Sequence, residues 1–209
     1  MVKNLGLYID STLDWKAQVS YVGQRTSGIL RALYRLKNFL PSATKTMLVQ
    51  ALIFPIIDYG DVCYFDLNAD LLNKLDRLLN NCIRFIFNLR KYDHISSYRA
   101  QLKLLPIRQR RNLRALTTLH SLLMSPEPPS YLTSYFQYLH SSHERALRSL
   151  NSLLIRCPTH SSSYVRNSFV VQSVLLWNAL PLEIRTITNR CTFKLRVRRM
   201  LLEKLAESS

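Results

Sequence analysis

Apolar residues recur at intervals of three and four along most of the chain, a spacing that predicts amphipathic helices. A long first helix is expected to begin at Asp14, whose side chain is a suitable N-cap, and to end at Pro41. Its inward face is predicted to hold Trp15, Val19, Val22, Thr26, Ile29, Leu33, Leu36 and Leu40. This arrangement places Arg31 and Arg35 one turn apart on another face of the helix.

Two more helices are predicted before residue 90. Ser42 is expected to cap the second helix, and Pro55 is expected to end it. The side chains predicted to point inward from it are Met47, Leu48, Ala51 and Leu52. A turn is expected at Gly60, where Asp58 and Asp61 are short polar residues of the kind that satisfy turn backbones. The third helix is predicted from about residue 69 to residue 89, with Leu72, Leu75, Leu79, Cys82, Ile83 and Ile86 as its apolar stripe.

The second half of the chain is less regular. A short helix and a longer one are predicted before the run at 125–130, whose Ser and Pro content is typical of a linker. We therefore place the main domain boundary there. Residues 140–168 are rich in Ser and His and predict a long loop. Apolar runs at 169–180 and 192–206 predict two further helices.

The first ten residues predict a short strand, because Leu5, Leu7 and Ile9 alternate with Gly6 and Tyr8. A strand needs a sheet to be stable. No neighbouring segment shows the same alternation, so we expect this strand to lack a partner within the chain and to belong to a larger structure.

The charge balance narrows the possible partners, because 29 Lys and Arg residues oppose 13 Asp and Glu residues, for a net charge of +16. Residues 91–209 hold 18 basic and 6 acidic side chains, a net +12, whereas residues 1–90 hold 11 and 7, a net +4. A polyanion is the natural partner for such a chain, since each phosphate contact releases condensed counterions. A basic surface that binds nothing anionic is the alternative.

Three basic groups are candidate contacts for the phosphates of a nucleic acid. On the helix predicted to end near residue 124, Arg110 lies one turn from Arg114, and Arg108 lies one turn from Arg111, so the four form one cationic sector. Like charges at this spacing repel one another, and a bound polyanion would relieve that repulsion. The candidate nucleic-acid-binding residues are Arg31, Arg35, Lys37, Arg108, Arg110, Arg111, Arg114, Lys194, Arg198 and Arg199.

Patterns that carry catalysis or metal binding are scarce. Polymerases hold two metal ions with closely set carboxylates, yet the eight aspartates here are scattered and no Asp-Asp pair occurs. His140, His143, Cys157 and His160 have spacings loosely compatible with zinc, but histidine is common in Ser-rich loops, so a zinc site stays open. No catalytic residue, metal or cofactor is predicted.

The four cysteines and the hydropathy indicate in which cellular compartment the protein is expected to lie. The cysteines are far apart and include no Cys-x-x-Cys pair, which is typical of reduced thiols in an intracellular protein. No apolar run approaches the ~20 residues that a membrane span requires. We therefore expect a nuclear or cytoplasmic protein without a membrane partner.

Nine short runs of sequence resemble a known protein family. They lie at residues 4–10, 13–16, 33–41, 52–60, 75–84, 168–169, 176–181, 184–185 and 193–194. The run Leu-Trp-Asn-Ala-Leu-Pro at 176–181 and the run Leu-Ile-Phe-Pro-Ile-Ile-Asp-Tyr-Gly at 52–60 are examples. In their order, which covers nearly the whole chain, they resemble the thumb and post-thumb region of non-LTR (LINE-type, jockey-like) retrotransposon reverse transcriptases.

The resemblance implies a function that the residues alone do not specify. In the family, the thumb helices lie along a primer-template duplex, which implies contacts with the backbone of RNA, DNA or a hybrid and no reading of bases. The family's fingers, most of its palm and its catalytic carboxylates have no counterpart among these residues. The chain is therefore expected to be a non-catalytic part of an RNA-directed DNA polymerase, with the parent's fingers and palm as its missing partners.

The fold class that follows is mainly α, with a helical thumb-like bundle, a smaller helical C-terminal module, a loop-rich linker and minor β. The expected domains are a residual palm strand (1–11), a thumb-like helical region (12–124), a linker and loop-rich segment (125–168) and a C-terminal helical tail (169–209). A host-adapted helical module that binds proteins and no nucleic acid is the alternative function.

Overall fold

The computed structural model describes residues 1–139, 153–159 and 162–207, and it is mainly α-helical. In those residues the only sheet has two strands, so the predicted fold class, mainly α with minor β, is confirmed. The chain divides into two compact units, unit 1 (Met1–Arg108) and unit 2 (Gln109–Ser209). The run at 125–130, where the sequence placed the main boundary, lies inside unit 2. No helix in the described ranges is both long and apolar enough to cross a bilayer.

Unit 1 contains a β-hairpin followed by helices. Its elements are β1 (Val2–Asn4), β2 (Leu7–Ile9), α1 (Lys16–Tyr34), α2 (Ser42–Leu48), a π-helical segment (Val49–Ile53), α3 (Phe54–Asp58), α4 (Ala69–Phe87) and α5 (Ser96–Gln101). Helix α1 packs on α4, and the apolar side chains of α4 supply much of the core.

The expectation that the N-terminal strand lacks a partner is wrong. β1 pairs with β2 in antiparallel register, with Val2 opposite Ile9. Leu5 and Gly6 connect the two strands, both at positive φ, as a two-residue hairpin turn of type I′ requires. The sequence does not predict β1, because Val2, Lys3 and Asn4 are all exposed. A strand without a buried face shows no alternation of apolar and polar residues.

The hairpin is also fixed to the helices of unit 1. Leu7 is buried, and the backbone N–H of Tyr8 donates a 3.0 Å hydrogen bond to the side-chain oxygen of Gln18 on α1. The hydroxyl of Tyr59 donates to the carbonyl oxygen of Leu5 at 2.6 Å. The aromatic rings of Tyr8 and Tyr21 lie 4.9 Å apart. The hairpin is therefore part of the packed structure of this chain.

Helix α1 is shorter than predicted. It starts at Lys16, and Trp15 rather than Asp14 occupies the N-cap position. The Asp14 carboxylate still accepts a 3.0 Å hydrogen bond from the backbone N–H of Lys16, the first residue of the helix. It ends at Tyr34, because the following amides bond three residues back, as in a tightening last turn. Leu36, predicted inward, is consequently exposed.

The second predicted helix differs in both its end and its buried face. Pro55 does not end it: α2 continues through the π-helical segment into α3. The N–H of Phe54 bonds to the carbonyl of Val49, five residues back, and this wider turn accommodates the proline, which has no N–H of its own. The residues that point inward are Lys45, Val49, Ile53 and Ile57, whereas Met47, Ala51 and Leu52 are exposed.

Helix α4 agrees closely with its prediction. Asn68 is its N-cap and accepts a 2.9 Å hydrogen bond from the N–H of Leu71, and Asn88 ends the helix in the left-handed conformation. Of the predicted stripe, Leu75, Leu79, Cys82, Ile83 and Ile86 are buried and Leu72 is half-buried. The predicted turn is also present, with Gly60 at φ +61°.

Unit 2 is built from helices around an aromatic core. Its elements are α6 (Ile107–Met124, which begins in the last two residues of unit 1), α7 (Ser130–Thr133), α8 (Ser163–Arg166), α9 (Phe169–Asn178), α10 (Leu182–Arg185) and α11 (Arg190–Glu207). The ring of His120 on α6 stacks on Phe193 of α11 at 4.2 Å, and Trp177 of α9 is fully buried near both. The predicted helices at 169–180 and 192–206 correspond to α9 and α11.

Candidate functional site

An open groove runs between α1 and α4 of unit 1, with a volume of about 480 Å³. We call it the α1–α4 groove. Its lining residues are Lys16, Val19, Ser20, Gly23, Gln24, Ser27 and Arg31 of α1 with Lys74, Arg77 and Leu78 of α4. Four of these ten residues are cationic and none is acidic.

The sequence builds the groove from the outward edges of two packed helices. Ser20, Gln24, Ser27 and Arg31 are spaced by three and four, so they follow one another along one side of α1. The small side chains of Ser20 and Ser27, together with Gly23, keep the space above α1 open; a Cβ at Gly23 would meet nothing within 4 Å. On α4, the groove residues adjoin the buried stripe that packs against α1.

The cations of the groove differ in what they contact. The ammonium of Lys16 lies 2.6 Å from the Asp14 carboxylate, and this hydrogen bond raises the pKa of Lys16 and lowers that of Asp14. The Nε of Arg31 donates weakly, at 3.4 Å, to the carbonyl of Ser27. Lys74 and Arg77 are exposed and form no ion pair with any residue whose placement the structure describes. An anion entering the groove would therefore meet three cations, Arg31, Lys74 and Arg77, that have no ion pair among the described residues, and Lys16, which is already paired with Asp14.

The first predicted group is split by the structure. Arg31 lines the α1–α4 groove, whereas Arg35 is exposed beyond the end of α1. Lys37 is half-buried, with its ammonium 5.5 Å from the centre of the Tyr34 ring. The groove thus contains Arg31, which the sequence predicted as a binding residue, and Lys16, which it did not.

The four-arginine sector of α6 is not an even cationic surface. Arg108 is exposed and belongs to unit 1, while the other three belong to unit 2. Arg111 is only 5% exposed, and Arg110 and Arg114 are half-buried; all three have interaction partners. Arg111 therefore points into the fold, and its predicted contact with a phosphate is not supported, because the side chain is buried.

The third predicted group lies on the outer side of α11. Lys194, Arg198 and Arg199 are exposed, whereas Phe193 and Val197 of the same helix are buried, as the apolar pattern predicts.

The zinc hypothesis stays untested. His140, His143 and His160 lie outside the described residues, and Cys157 is half-buried beside the carbonyl of Pro158. In the part of the chain that the structure describes, no group of three or more His, Cys, Asp or Glu side chains is placed to hold a metal ion.

Lys16, Lys74 and Arg77 are the groove residues that sequence reasoning missed. A usable signal existed for the last two, because Lys74 and Arg77 lie three apart on the hydrophilic side of a strongly amphipathic helix. Periodicity identifies that side but does not reveal that α1 borders it. Comparison of the chain with protein-family models, with curated proteins and with solved structures found no match.

Proposed function

We propose that the chain is a non-catalytic fragment of a retrotransposon RNA-directed DNA polymerase and that its α1–α4 groove binds the sugar–phosphate backbone of a nucleic acid. The observation that carries this proposal is the lining of the groove, which holds four cationic side chains and no acidic one. The ordered family resemblance of the sequence agrees with it, since that resemblance places these helices beside a primer-template.

The dimensions of the groove suit a backbone. Fifteen residues separate Lys16 from Arg31, which corresponds to about 22 Å along the axis of α1. Each strand of a duplex presents a phosphate roughly every 3.4 Å along its axis, so several phosphates pass within this length. Lys74 and Arg77 face the same groove from α4, and the cations would therefore contact the strand from two sides.

Such contacts position a strand without reading its sequence, because phosphates are the same at every base. Arg35 and Lys37 would extend the contact beyond α1. Arg108, Arg110 and Arg114, with the exposed cations of α11, are secondary contacts that each unit could add through its own surface. The chain is proposed to hold the template-primer for a catalytic centre on other parts of the parent polymerase.

The proposal is tested by the salt dependence of binding. With four phosphates neutralised, the logarithm of the association constant should fall against the logarithm of salt concentration with a slope of roughly −3.6. Replacing Lys74 and Arg77 together by Gln should reduce the slope to roughly −1.8. Fluorescence anisotropy with a labelled mixed-sequence DNA duplex, to which these slopes apply, measures both values.

The matched control is Arg90→Gln with Lys91→Gln, which removes two exposed charges of unit 1 that do not line the groove. This variant should keep the slope of the unchanged protein to within about 0.5. Equal slopes for the groove variant and the unchanged protein would remove the groove from the binding surface. A protein that binds no oligonucleotide at low salt would overturn the proposed function as a whole.

A protein-interaction module is the second candidate, and one observation favours it. Residues 38–57 contain a single charged side chain, Lys45, and it is buried at 1% exposure. The same stretch leaves Phe39 83% exposed and Met47 64% exposed. Interfaces between proteins are depleted of charge at their centres, and exposed apolar surface often marks them.

A further inference from the structure

Three uncharged polar side chains lie between the cations of the α1–α4 groove. Ser20, Gln24 and Ser27 face it from α1, and none of their side chains hydrogen-bonds to a residue in the described ranges. Two hydroxyls of α6 behave differently: those of Thr117 and Ser121 donate to the carbonyls four residues earlier, at 2.6 Å and 2.9 Å. The serines of α1 leave their hydroxyls available to a ligand.

Their spacing places these groups in a row. Ser20 and Ser27 are seven residues apart, about 10 Å along the axis of α1, and Gln24 lies between them. Lys16 precedes the row and Arg31 follows it, while Lys74 and Arg77 face it across the groove. A strand held by its phosphates at these cations would present its sugars to the polar row, because phosphates and sugars alternate along a backbone.

The sugar of RNA differs from that of DNA by the 2′-hydroxyl, which both donates and accepts hydrogen bonds. A serine hydroxyl and a glutamine amide do the same, so either side can satisfy the other. Deoxyribose offers only a CH₂ group at this position. It would cover the polar side chains without bonding to them, which loses the hydrogen bonds that they make with water.

From this arrangement we propose that the α1–α4 groove prefers an RNA strand to a DNA strand and that Ser20, Gln24 and Ser27 recognise its 2′-hydroxyls. This inference rests on the proposed function, since the cations must first hold a backbone in the groove. The cations supply affinity for any strand, and the polar row supplies the preference between sugars.

The experiment compares three labelled single strands of one mixed sequence by anisotropy: RNA, the DNA counterpart and 2′-O-methyl RNA. RNA should bind roughly tenfold more tightly than DNA, since two or three hydrogen bonds distinguish them. The 2′-O-methyl strand, which has lost the hydroxyl donor, should bind like DNA. If it binds like RNA, strand conformation explains the preference and the recognition of hydroxyls is wrong.

The decisive variant is Ser20→Ala with Ser27→Ala, which suits a helix because alanine has the higher helix propensity. It should reduce the preference for RNA over DNA from roughly tenfold to about two- to threefold, because Gln24 remains, and it should leave the salt slope unchanged. Ser96→Ala with Ser97→Ala, two exposed serines of α5 outside the groove, is the matched control and should retain the preference.

The outcomes separate this inference from the proposed function. Equal binding of RNA and DNA with a steep salt slope would overturn the sugar preference and leave the backbone site standing. A preference of undiminished size in the double alanine variant would remove these serines from the recognition of RNA. Failure of every strand to bind at low salt would overturn both proposals.

Discussion

The α1–α4 groove and the arginine sector of α6 show that charge density along a sequence is a poor guide to charge at a surface. Four arginines fall within seven residues of α6, yet Arg111 is buried and Arg110 and Arg114 are half-buried with partners of their own. The groove gathers four cations from two helices that lie far apart in the sequence. Proximity on one helix concentrates charge, whereas packing decides whether that charge faces solvent.

The largest effect is expected from the hairpin that supports α1. Deleting residues 1–10 removes the buried Leu7 side chain and the hydrogen bonds to Gln18 and from Tyr59. The free energy of unfolding of unit 1 should fall by about 4 kcal/mol, from roughly 2 kcal/mol for the leucine and roughly 1 kcal/mol for each of the two bonds. Urea denaturation followed by circular dichroism measures this loss.

A point variant measures the contribution of the packed Leu7 side chain separately from the loss of the whole hairpin. Leu7→Ala alone should cost about 2 kcal/mol, whereas Leu5→Ala, at an exposed position of the same hairpin, should have little effect. A truncated protein with unchanged stability would mean that the hairpin is dispensable, as the sequence alone led us to expect. In that case the groove would depend on α1 and α4 only.

The sequence predicts elements well where hydrophobicity is the main determinant of their packing. The stripe of α4 was predicted correctly because five apolar residues share one face of the helix, and burying that face is the strongest contribution to its packing. The face of α2 was predicted wrongly because Lys45 is buried, with its ammonium 2.7 Å from the side-chain oxygen of Asn88, and Met47 is exposed. A lysine that finds a partner 43 residues away leaves no trace in local periodicity.

The candidate site was predictable only in part for a related reason. Arg31 was named, since its charge and exposure follow from the pattern of α1. Lys74 and Arg77 were not, because the pattern of α4 reports only that they are hydrophilic. Which hydrophilic edges border one another depends on the packing of α1 against α4, and that is a property of the tertiary structure.

The second prediction tests whether Arg111 is structural. Arg111→Gln removes a buried guanidinium that has interaction partners, so unit 2 should lose about 2 kcal/mol of stability through unpaired polar groups and lost packing of the side-chain stem. Urea denaturation monitored by the fluorescence of the buried Trp177, in a Trp15→Phe background that removes the tryptophan of unit 1, should show the loss. The exposed Arg108→Gln is the control and should unfold at the same urea concentration as the unchanged protein.

The same variant also bears on binding. If Arg111 is structural, Arg111→Gln at a temperature where unit 2 stays folded should leave the salt slope of oligonucleotide binding unchanged. A flatter slope without loss of stability would restore the arginine sector as a phosphate contact and would weaken the contrast with the groove.

The smallest effect concerns pH and a second buried group of α6. His120 is fully buried; its Nε2 lies 2.7 Å from the carbonyl oxygen of Ile187, and its Nδ1 has no hydrogen-bond partner among the described residues. Burial lowers the pKa of His120 below its usual 6.5, and the nearby Arg190 lowers it further, whereas the Ile187 carbonyl opposes the shift. The folded unit therefore resists protonation of this ring.

The sign of the effect on stability follows from where the proton binds. Below about pH 6.5 the unfolded chain binds a proton at His120 that the folded unit does not, so the free energy of unfolding of unit 2 decreases as pH falls from 7.5 to 5.5. His120→Leu should remove most of this decrease even though it lowers stability at pH 7.5 by abolishing the bond to Ile187. His94→Leu, at an exposed position of unit 1, should keep the decrease. Urea denaturation at the two pH values, followed by Trp177 fluorescence in the same Trp15→Phe background, gives the comparison. A decrease of equal size in the His120 variant would show that other groups cause it. The buried His120 ring would then not control the pH dependence of the stability of unit 2.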